Sequence, residues 1–340
     1  MKPTDQLVTL RGLLATPSGN EDDPWQRVIL RRATGVPDLE LSPQDDFRAR
    51  LQGVAPRIVS LAGVGVYEVV RPAKGRLAGK IALLTGAAGA IGAGICRGLL
   101  ENGCHVAATD VSEENLRSLV EELRDLGPIL GVRLDVTDPQ SVAGGFAEVV
   151  RCWGGVDIVV VNAGIAIGAA LTETDLEAFR RLERVNVEGT LNTLAEAGRL
   201  LRQQQTGGDI VLVSTKNVFS PGAGFGAYSA TKAASHQLAR IASLEFAPFG
   251  VRVNMVAPDA VFGEGTRRSG LWAEVGPARM RARGLDEKGL EEYYRNRNLL
   301  KMRVTARHVA NAVLFFVTRQ TPTTGATIPV DGGLPDSTPR

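Results

Sequence analysis

The feature that most restricts how this chain can fold is a junction. The apolar run Lys80-Ile81-Ala82-Leu83-Leu84 passes directly into Thr85-Gly86-Ala87-Ala88-Gly89-Ala90-Ile91-Gly92, and residues 93–102 continue with helical periodicity as far as Gly103. An apolar strand, a glycine-rich turn and a helix in immediate succession make the opening half of a βαβ unit. The rhythm then repeats. Strands are expected at 105–109, 129–134, 156–161, 210–214, 251–256 and 328–330, separated by helical stretches at 113–123 (capped by Ser112), 141–153, 175–203, 228–246 and 305–317. Strands that are apolar throughout, with long helices between them, belong in a parallel sheet covered on both faces. The expected fold class is therefore α/β, one doubly wound parallel sheet over residues 76–335, its period breaking only at about 260–300.

Residues 1–75 read as a short, irregular N-terminal extension with too little apolar material for a core of its own. A helix is expected to start at Ser42 as N-cap with Pro43 in the first position. Two short strands are expected at 57–61 and 64–70, then a linker at 71–75. A chain of 340 residues with 44% hydrophobic positions can bury a large core. Its 39 basic and 37 acidic residues are spread too evenly for a nucleic-acid face. The run carrying Arg279, Arg281 and Arg283 reads as a solvated helix face. Cys96, Cys104 and Cys152, with three scattered histidines, match neither a disulfide framework nor a zinc site, so no metal is expected. With no run of about 18 apolar residues and no leader pattern, the chain is expected to be soluble and cytoplasmic, with no membrane partner.

The strand, turn and helix at 80–102 would aim backbone amides and a helix N-terminus at a pyrophosphate, with Gly86 permitting the tight turn and Gly92 a close backbone approach. Asp110 ends the second strand, where its carboxylate can accept from both adenosine ribose hydroxyls and repel a 2′-phosphate, so NAD is the expected cofactor. Asp135-Val136 ends the third strand and either meets the adenine or serves a turn. Asn162-Ala163-Gly164 closes the fourth, small enough for a flat ligand to lie against the backbone.

Far downstream, Tyr228 and Lys232 stand one helical turn apart in Ala227-Tyr228-Ser229-Ala230-Thr231-Lys232. A nearby ammonium favours phenolate, which would make Tyr228 an acid for carbonyl reduction or a base for alcohol oxidation. Thr215 or Ser214 would hold the substrate oxygen; strand alternation allows only one of these neighbours to face the site.

Together with Asn186 in Val185-Asn186-Val187 and Asp331-Gly332-Gly333, these motifs resemble the short-chain dehydrogenase/reductase family of classical type, a Rossmann fold that would cover residues 76–335. The resemblance implies Tyr228 as acid/base, Lys232 lowering its pKa and bonding the nicotinamide ribose, and Asn186 holding a water between that lysine and solvent. Thr215 falls where the family usually has its catalytic serine. Cofactor contacts are implied for Gly86, Ala88, Gly89, Ala90, Ile91, Gly92, Asp110, Asp135, Val136, Asn162, Ala163, Gly164, Tyr228, Lys232, Pro258, Asp259 and Val261. The sequence departs from the family pattern at Ala90, usually glycine, and at Pro258-Asp259, usually Pro-Gly. A homodimer or homotetramer is implied through the helices at 175–203 and 228–246.

Lys216-Asn217 and Pro258-Asp259-Ala260-Val261 narrow the resemblance to the dehydrogenase half of bifunctional rhamnulose-1-phosphate aldolase/lactaldehyde dehydrogenase-like proteins. On that view residues 56–67 look like the tail of a missing aldolase half, and 1–75 like its remnant. Specificity is expected to lie in 262–300. Arg267, Arg268 or Lys216 would suit a phosphate or carboxylate, whereas Asp259 and Glu264 favour a neutral polyol or hydroxyaldehyde; Trp272 and Tyr293 either cap the pocket or join the core. The function expected is hydride transfer between NAD and a small polyol, sugar alcohol or hydroxyaldehyde. Lactaldehyde or sugar-phosphate oxidation, and a non-catalytic nucleotide-binding assembly role, stand as alternatives.

Overall fold

The computed structural model describes residues 2–72, 75–264 and 267–334. Linker residues 73 and 74, the side chain of Glu264 and the expected domain end at 335 lie outside them. The opening residues form helix α1 (Pro3–Leu14), a two-residue pairing of β1 (Thr16–Pro17) with β2 (Trp25–Gln26), strands β3 (Ile29–Arg32) and β4 (Leu39–Leu41), helix α2 (Phe47–Leu51), and strands β5 (Ile58–Leu61) and β6 (Gly65–Val70). The extension is thus not irregular. β3, β6, β5 and β4 lie side by side in that order as a four-stranded sheet.

The helix expected at Ser42 starts instead at Phe47. Asp46 caps it by accepting from the amides of Arg48 and Ala49, while the Ser42 amide is taken by the Asp45 carboxylate. A cap works only where its oxygen reaches orphan amides of the first turn, and here Asp46 does so.

From Lys80 onward the expected rhythm is realised in β7 (Ile81–Thr85), α3 (Ala90–Glu101), β8 (His105–Asp110), α4 (Glu113–Leu123), β9 (Ile129–Arg133), α5 (Pro139–Trp153) and β10 (Ile158–Val161). It continues through α6 (Leu176–Leu182), α7 (Gly189–Gln204), β11 (Gly208–Val213), α8 (Gly226–Glu245) and β12 (Val251–Pro258). A two-residue pairing of β13 (Gly263–Glu264) with β14 (Arg267–Arg268), then α9 (Gly270–Arg283), α10 (Glu287–Arg297), α11 (Ala306–Val317) and β15 (Thr327–Val330) complete the chain. Seven strands form one parallel sheet in the order β15-β12-β11-β10-β7-β8-β9. Every residue of β7, β10 and β11 is buried, as strands sandwiched between helix layers must be. The order reverses between β7 and β10, so a crevice opens beyond their carboxyl ends.

The single long helix expected at 175–203 is interrupted by a π-helical turn at Glu183–Glu188. The extra residue turns Asn186 into the protein interior, where it is 1% exposed.

The extension docks on this unit. Leu7, Leu10 and Leu14 of α1 share one apolar cluster with Val149 and Trp153 of α5 and Leu194 and Leu201 of α7. Beneath the sheet, at the end away from the crevice, lies a buried ion network. Arg11 donates to both Asp157 oxygens at 2.9 and 2.7 Å, and Arg27 approaches the same carboxylate at 3.1 Å. Asp23 pairs with Arg27, Lys80 and Arg319 at 2.8, 2.8 and 3.1 Å, and Arg319 pairs with Asp209 at 3.0 Å.

Burial alone would raise the Asp23 pKa, but Arg27, Lys80 and Arg319 outweigh it and hold the group at about 2, below its ordinary 3.8. A depressed carboxylate contributes stability above its unfolded pKa and loses it as pH falls through the folded value. Asp23→Asn is accordingly expected to be less stable than wild type at neutral pH and to flatten the stability-against-pH curve between pH 4 and 2, measured by urea unfolding at each pH.

Candidate active site

Two glycines shape the crevice floor. Gly86 has φ +63°, and a Cβ there would stand 2.8 Å from the Ala163 Cα; at Gly92 it would stand 2.4 Å from the Gly86 carbonyl oxygen. Both positions therefore exclude a side chain. Asn162 holds the two βα turns together, donating to the Thr85 and Gly86 carbonyls at 2.9 and 2.8 Å, while the Thr85 hydroxyl accepts from the amides of Asn162 and Ala163. Asp110 accepts from the Ala88 amide at 3.1 Å and the Ser112 amide at 3.0 Å, which ties the glycine turn to the end of β8. Asp135 accepts from the amide and hydroxyl of Thr137, a turn role, and lines the crevice as well.

A cavity of about 1120 Å³ runs from Asp110 and Asp135 past the glycine turn to Thr215, Tyr228 and Lys232. Of the proposed cofactor residues only Ala88 does not line it, its amide being turned to Asp110. Helix α3 has Gly89 as its N-cap with no side-chain cap, and Gly89–Gly92 at its start line the cavity. Uncapped amides at a helix N-terminus, beside a cavity of this length, fit a dinucleotide pyrophosphate.

At the far end, β11 stops at Val213, so strand alternation does not separate the two hydroxyls, and Ser214 and Thr215 both line the cavity. Ser214 shares a 3.0 Å hydrogen bond with His236 Nδ1, whereas the Thr215 hydroxyl accepts from the Asn217 amide at 3.3 Å and acts to lower the pKa of the Tyr228 phenol. The expected depression of the phenol pKa is absent. Burial pushes Tyr228 up to about 12, the Thr215 hydrogen bond working against it. Lys232 is pushed down to about 8 by burial, and its ammonium donates to the Val213 carbonyl at 2.9 Å. Desolvation penalises the charged form of both groups, raising the acid and lowering the base.

Asn186 does not line the cavity. Its side-chain oxygen accepts from the Ile165 amide at 2.9 Å, and its amide group donates to the Ile165 carbonyl and the Thr231 hydroxyl, each at 3.0 Å. It clamps the segment after β10 to helix α8, one residue from Lys232.

The segment at 262–300 folds over the cavity mouth. Phe262 stacks on Trp272 with ring centres 4.5 Å apart, Tyr294 meets Trp272 edge-on at 4.7 Å, and Trp272, Tyr293 and Tyr294 line the cavity. Arg267 and Arg268 do not line it: they pair with Glu122 and Glu287. Asp259 is held by Arg297, so its charge no longer argues for a neutral substrate. From this segment Arg279, Arg283 and Arg297, which no sequence motif marks, line the cavity instead, and Arg181 and Arg184 line it from the helical stretch after β10. Arg279 is not the solvated residue expected; no local pattern distinguishes it from Arg281, which is exposed.

A seven-stranded parallel sheet with a long crevice at its switch point defines a nucleotide-binding α/β protein. Residues 80–272 match the short chain dehydrogenase family, and the chain belongs to that family of oxidoreductases, whose members bind NAD or NADP. It is similar to YuxG of Bacillus subtilis (strain 168), described as an uncharacterized oxidoreductase, at 35% identity over 268 residues, 78% of this chain but 38% of the relative. It is 36% identical over 190 residues to the sorbitol dehydrogenase of Cereibacter sphaeroides, which is 56% of this chain and 73% of that protein. The crystal structure of a short-chain type dehydrogenase/reductase from Mycobacterium marinum superposes with a TM-score of 0.65 at 27% identity, covering 76% of this chain and 96% of the other. Among the described residues, no helix is long and apolar enough to cross a membrane.

Proposed function

We propose that this chain is an NAD-dependent oxidoreductase acting at a secondary alcohol or carbonyl carbon of a small polyol, sugar alcohol or hydroxyaldehyde. The observation that carries the reading is a single cavity with Thr215, Tyr228 and Lys232 at one end and Asp110 at the other. Bound nicotinamide would supply a hydride acceptor or donor at its C4. Thr215 positions the substrate oxygen by a hydrogen bond, and Tyr228 gives that oxygen a proton in reduction or takes one from it in oxidation. Asn186 acts at a distance, fixing α8 and so the placement of Lys232. Polyhydroxylated substrates are supported by the likeness to a sorbitol dehydrogenase.

NAD over NADP rests on Asp110, whose charge would face a 2′-phosphate. Asp110→Ala is expected to shift the NADP to NAD ratio of kcat/KM toward NADP by about 10- to 100-fold, since a like-charge clash costs several kcal/mol. The ratio is the readout because Asp110 also braces the glycine turn, and that loss affects both cofactors alike. An unchanged ratio would remove the basis for assigning NAD.

A second reading is favoured by one observation. The matched region fills only 38% of the YuxG sequence, so a relative exists in which this unit is joined to something longer. On that reading the chemistry is lactaldehyde or sugar-phosphate oxidation of the bifunctional aldolase/dehydrogenase type, with residues 1–75 as an aldolase remnant. Assembly as a homodimer or homotetramer through α7 and α8 is supported by Leu191, Ile241 and Leu244, apolar side chains left exposed on those helices.

A further inference from the structure

We infer that the site is built for a substrate bearing an anionic group, a phosphate or a carboxylate, which Arg279 grips with Lys216 beside it. The inference rests on the reading of this cavity as the substrate site of an oxidoreductase, and it names the substrate class. Helix α9 carries Arg279 back over the cavity, where its guanidinium lies 4.1 Å from the centre of the Phe225 ring. One nitrogen donates to the Ala223 carbonyl at 2.9 Å. The Phe225 ring in turn sits 6.1 Å from that of Tyr228. The guanidinium is thus pinned by a ring face and a backbone carbonyl close to the reacting phenol, and neither partner is an anion.

Lys216 faces the same space. Its ammonium donates to the Ser220 carbonyl at 2.9 Å, again a neutral partner. Asp259, a carboxylate lining the cavity, pairs with Arg297, and Glu274 is exposed. The surplus is felt by the groups themselves. Burial lowers the Arg279 pKa, with Arg283 and Arg297 adding to it against Tyr294 and Tyr293, and burial lowers that of Lys216, with Arg297 and Arg279 adding to it against Asp259 and Asp331.

The contrast lies at the other end of the molecule, where buried Arg11, Arg27, Lys80 and Arg319 each meet a carboxylate of Asp23, Asp157 or Asp209. This fold compensates buried cations when their role is structural. Arg279 and Lys216, whose hydrogen-bond partners in the cavity are neutral carbonyls, are placed to meet a charge of opposite sign. The guanidinium fork matches two oxygens of a phosphate or carboxylate, and it offers no acceptor to the hydroxyls of a neutral polyol.

The test compares sorbitol, sorbitol 6-phosphate and gluconate as substrates of the full chain with saturating NAD⁺, alongside Arg279→Met and Arg279→Lys. One anionic compound is expected to exceed sorbitol in kcat/KM by about 10- to 100-fold, the worth of hydrogen bonds to a charged group. Whether the phosphate or the carboxylate wins identifies the anion. In Arg279→Met the advantage should collapse, and Arg279→Lys should restore part of it. Equal use of sorbitol, or an advantage that survives in Arg279→Met, overturns the inference.

Calorimetric titration of the NAD⁺-saturated protein with inorganic phosphate and with acetate measures the anion site independently of turnover. Wild type should bind one of them at least about tenfold more tightly than Arg279→Met does. Indistinguishable binding overturns the anion site whatever the activity. Arg279-dependent binding with no NAD⁺ reduction by any compound sustains the anion site and sinks the oxidoreductase reading.

Discussion

Tyr228→Phe is expected to lower kcat/KM for the alcohol substrate by about 10²- to 10⁴-fold while NAD⁺ binding persists. The substitution removes one oxygen from a side chain that is only 7% exposed, so the ring still packs against Phe225 and the fold is kept. What goes is the hydroxyl that, alongside Thr215 at this end of the cavity, can exchange a proton with the substrate oxygen. The pKa direction adds a pH signature. With the phenol pushed up to about 12 it is protonated at neutral pH, the form that donates in carbonyl reduction. Oxidation needs the phenolate, so its rate should climb with pH across the alkaline range, while reduction stays flat near neutrality. Initial rates in both directions from pH 6 to 10, with NAD⁺ binding followed by calorimetry, check both parts. Unchanged catalysis in Tyr228→Phe would remove the residue from the mechanism.

Arg11→Met is expected to destabilise the protein by about 3–5 kcal/mol, although Arg11 lies in the N-terminal extension and far from the cavity. Arg11 is 1% exposed and bonds Asp157 twice, the Val28 carbonyl at 2.7 Å and the Gly79 carbonyl at 3.2 Å. Burial alone would raise the Asp157 pKa, yet Arg11, then Arg27 and the Ile81 amide, bring it below its ordinary value. Losing Arg11 leaves that carboxylate buried with fewer donors, which costs more than the pair itself contributes. The comparison is Arg31→Met. Its pair with Glu68 is 66% and 44% exposed, and the change should stay within about 1 kcal/mol. Urea midpoints for the two variants, at unchanged m, decide the matter. Equal effects would mean that the extension is not anchored by the ion network.

The sheet was legible because each of its strands is a short apolar run, and a run such as Ile158–Val161 has few ways to bury itself except in a covered parallel sheet. The choice between Ser214 and Thr215 was not legible from alternation, because β11 ends at Val213 and both residues line the cavity; what sets them apart is the Ser214 bond to His236, a partner 22 residues away. Other features depend on contacts distant in sequence. Leu7 and Leu10 look like scattered apolar residues until α5 and α7 supply the surface they cover. The π-helical turn at Asn186 leaves the apolar pattern on either side intact, so the sequence reads as one long helix. Arg279 has the same local surroundings as Arg281, and only the return of α9 over Phe225 tells them apart. Lys232 lies one turn from Tyr228, as expected, but sequence does not reveal that the ammonium bonds Val213 and that burial governs both pKa values.

In oxidation, hydride and proton are expected to leave a single substrate alcohol group, C–H and O–H, at the Thr215–Tyr228 end of the cavity. The decisive experiment follows the appearance of NADH when the full chain is given NAD⁺ and a panel of polyols, hydroxyaldehydes, sugar acids and their phosphates, with Tyr228→Phe in parallel. NADH should form in equal amount to the carbonyl product, with almost none from Tyr228→Phe. Substrate consumed with no net NADH, or NADH formed equally well by Tyr228→Phe, would contradict this chemistry.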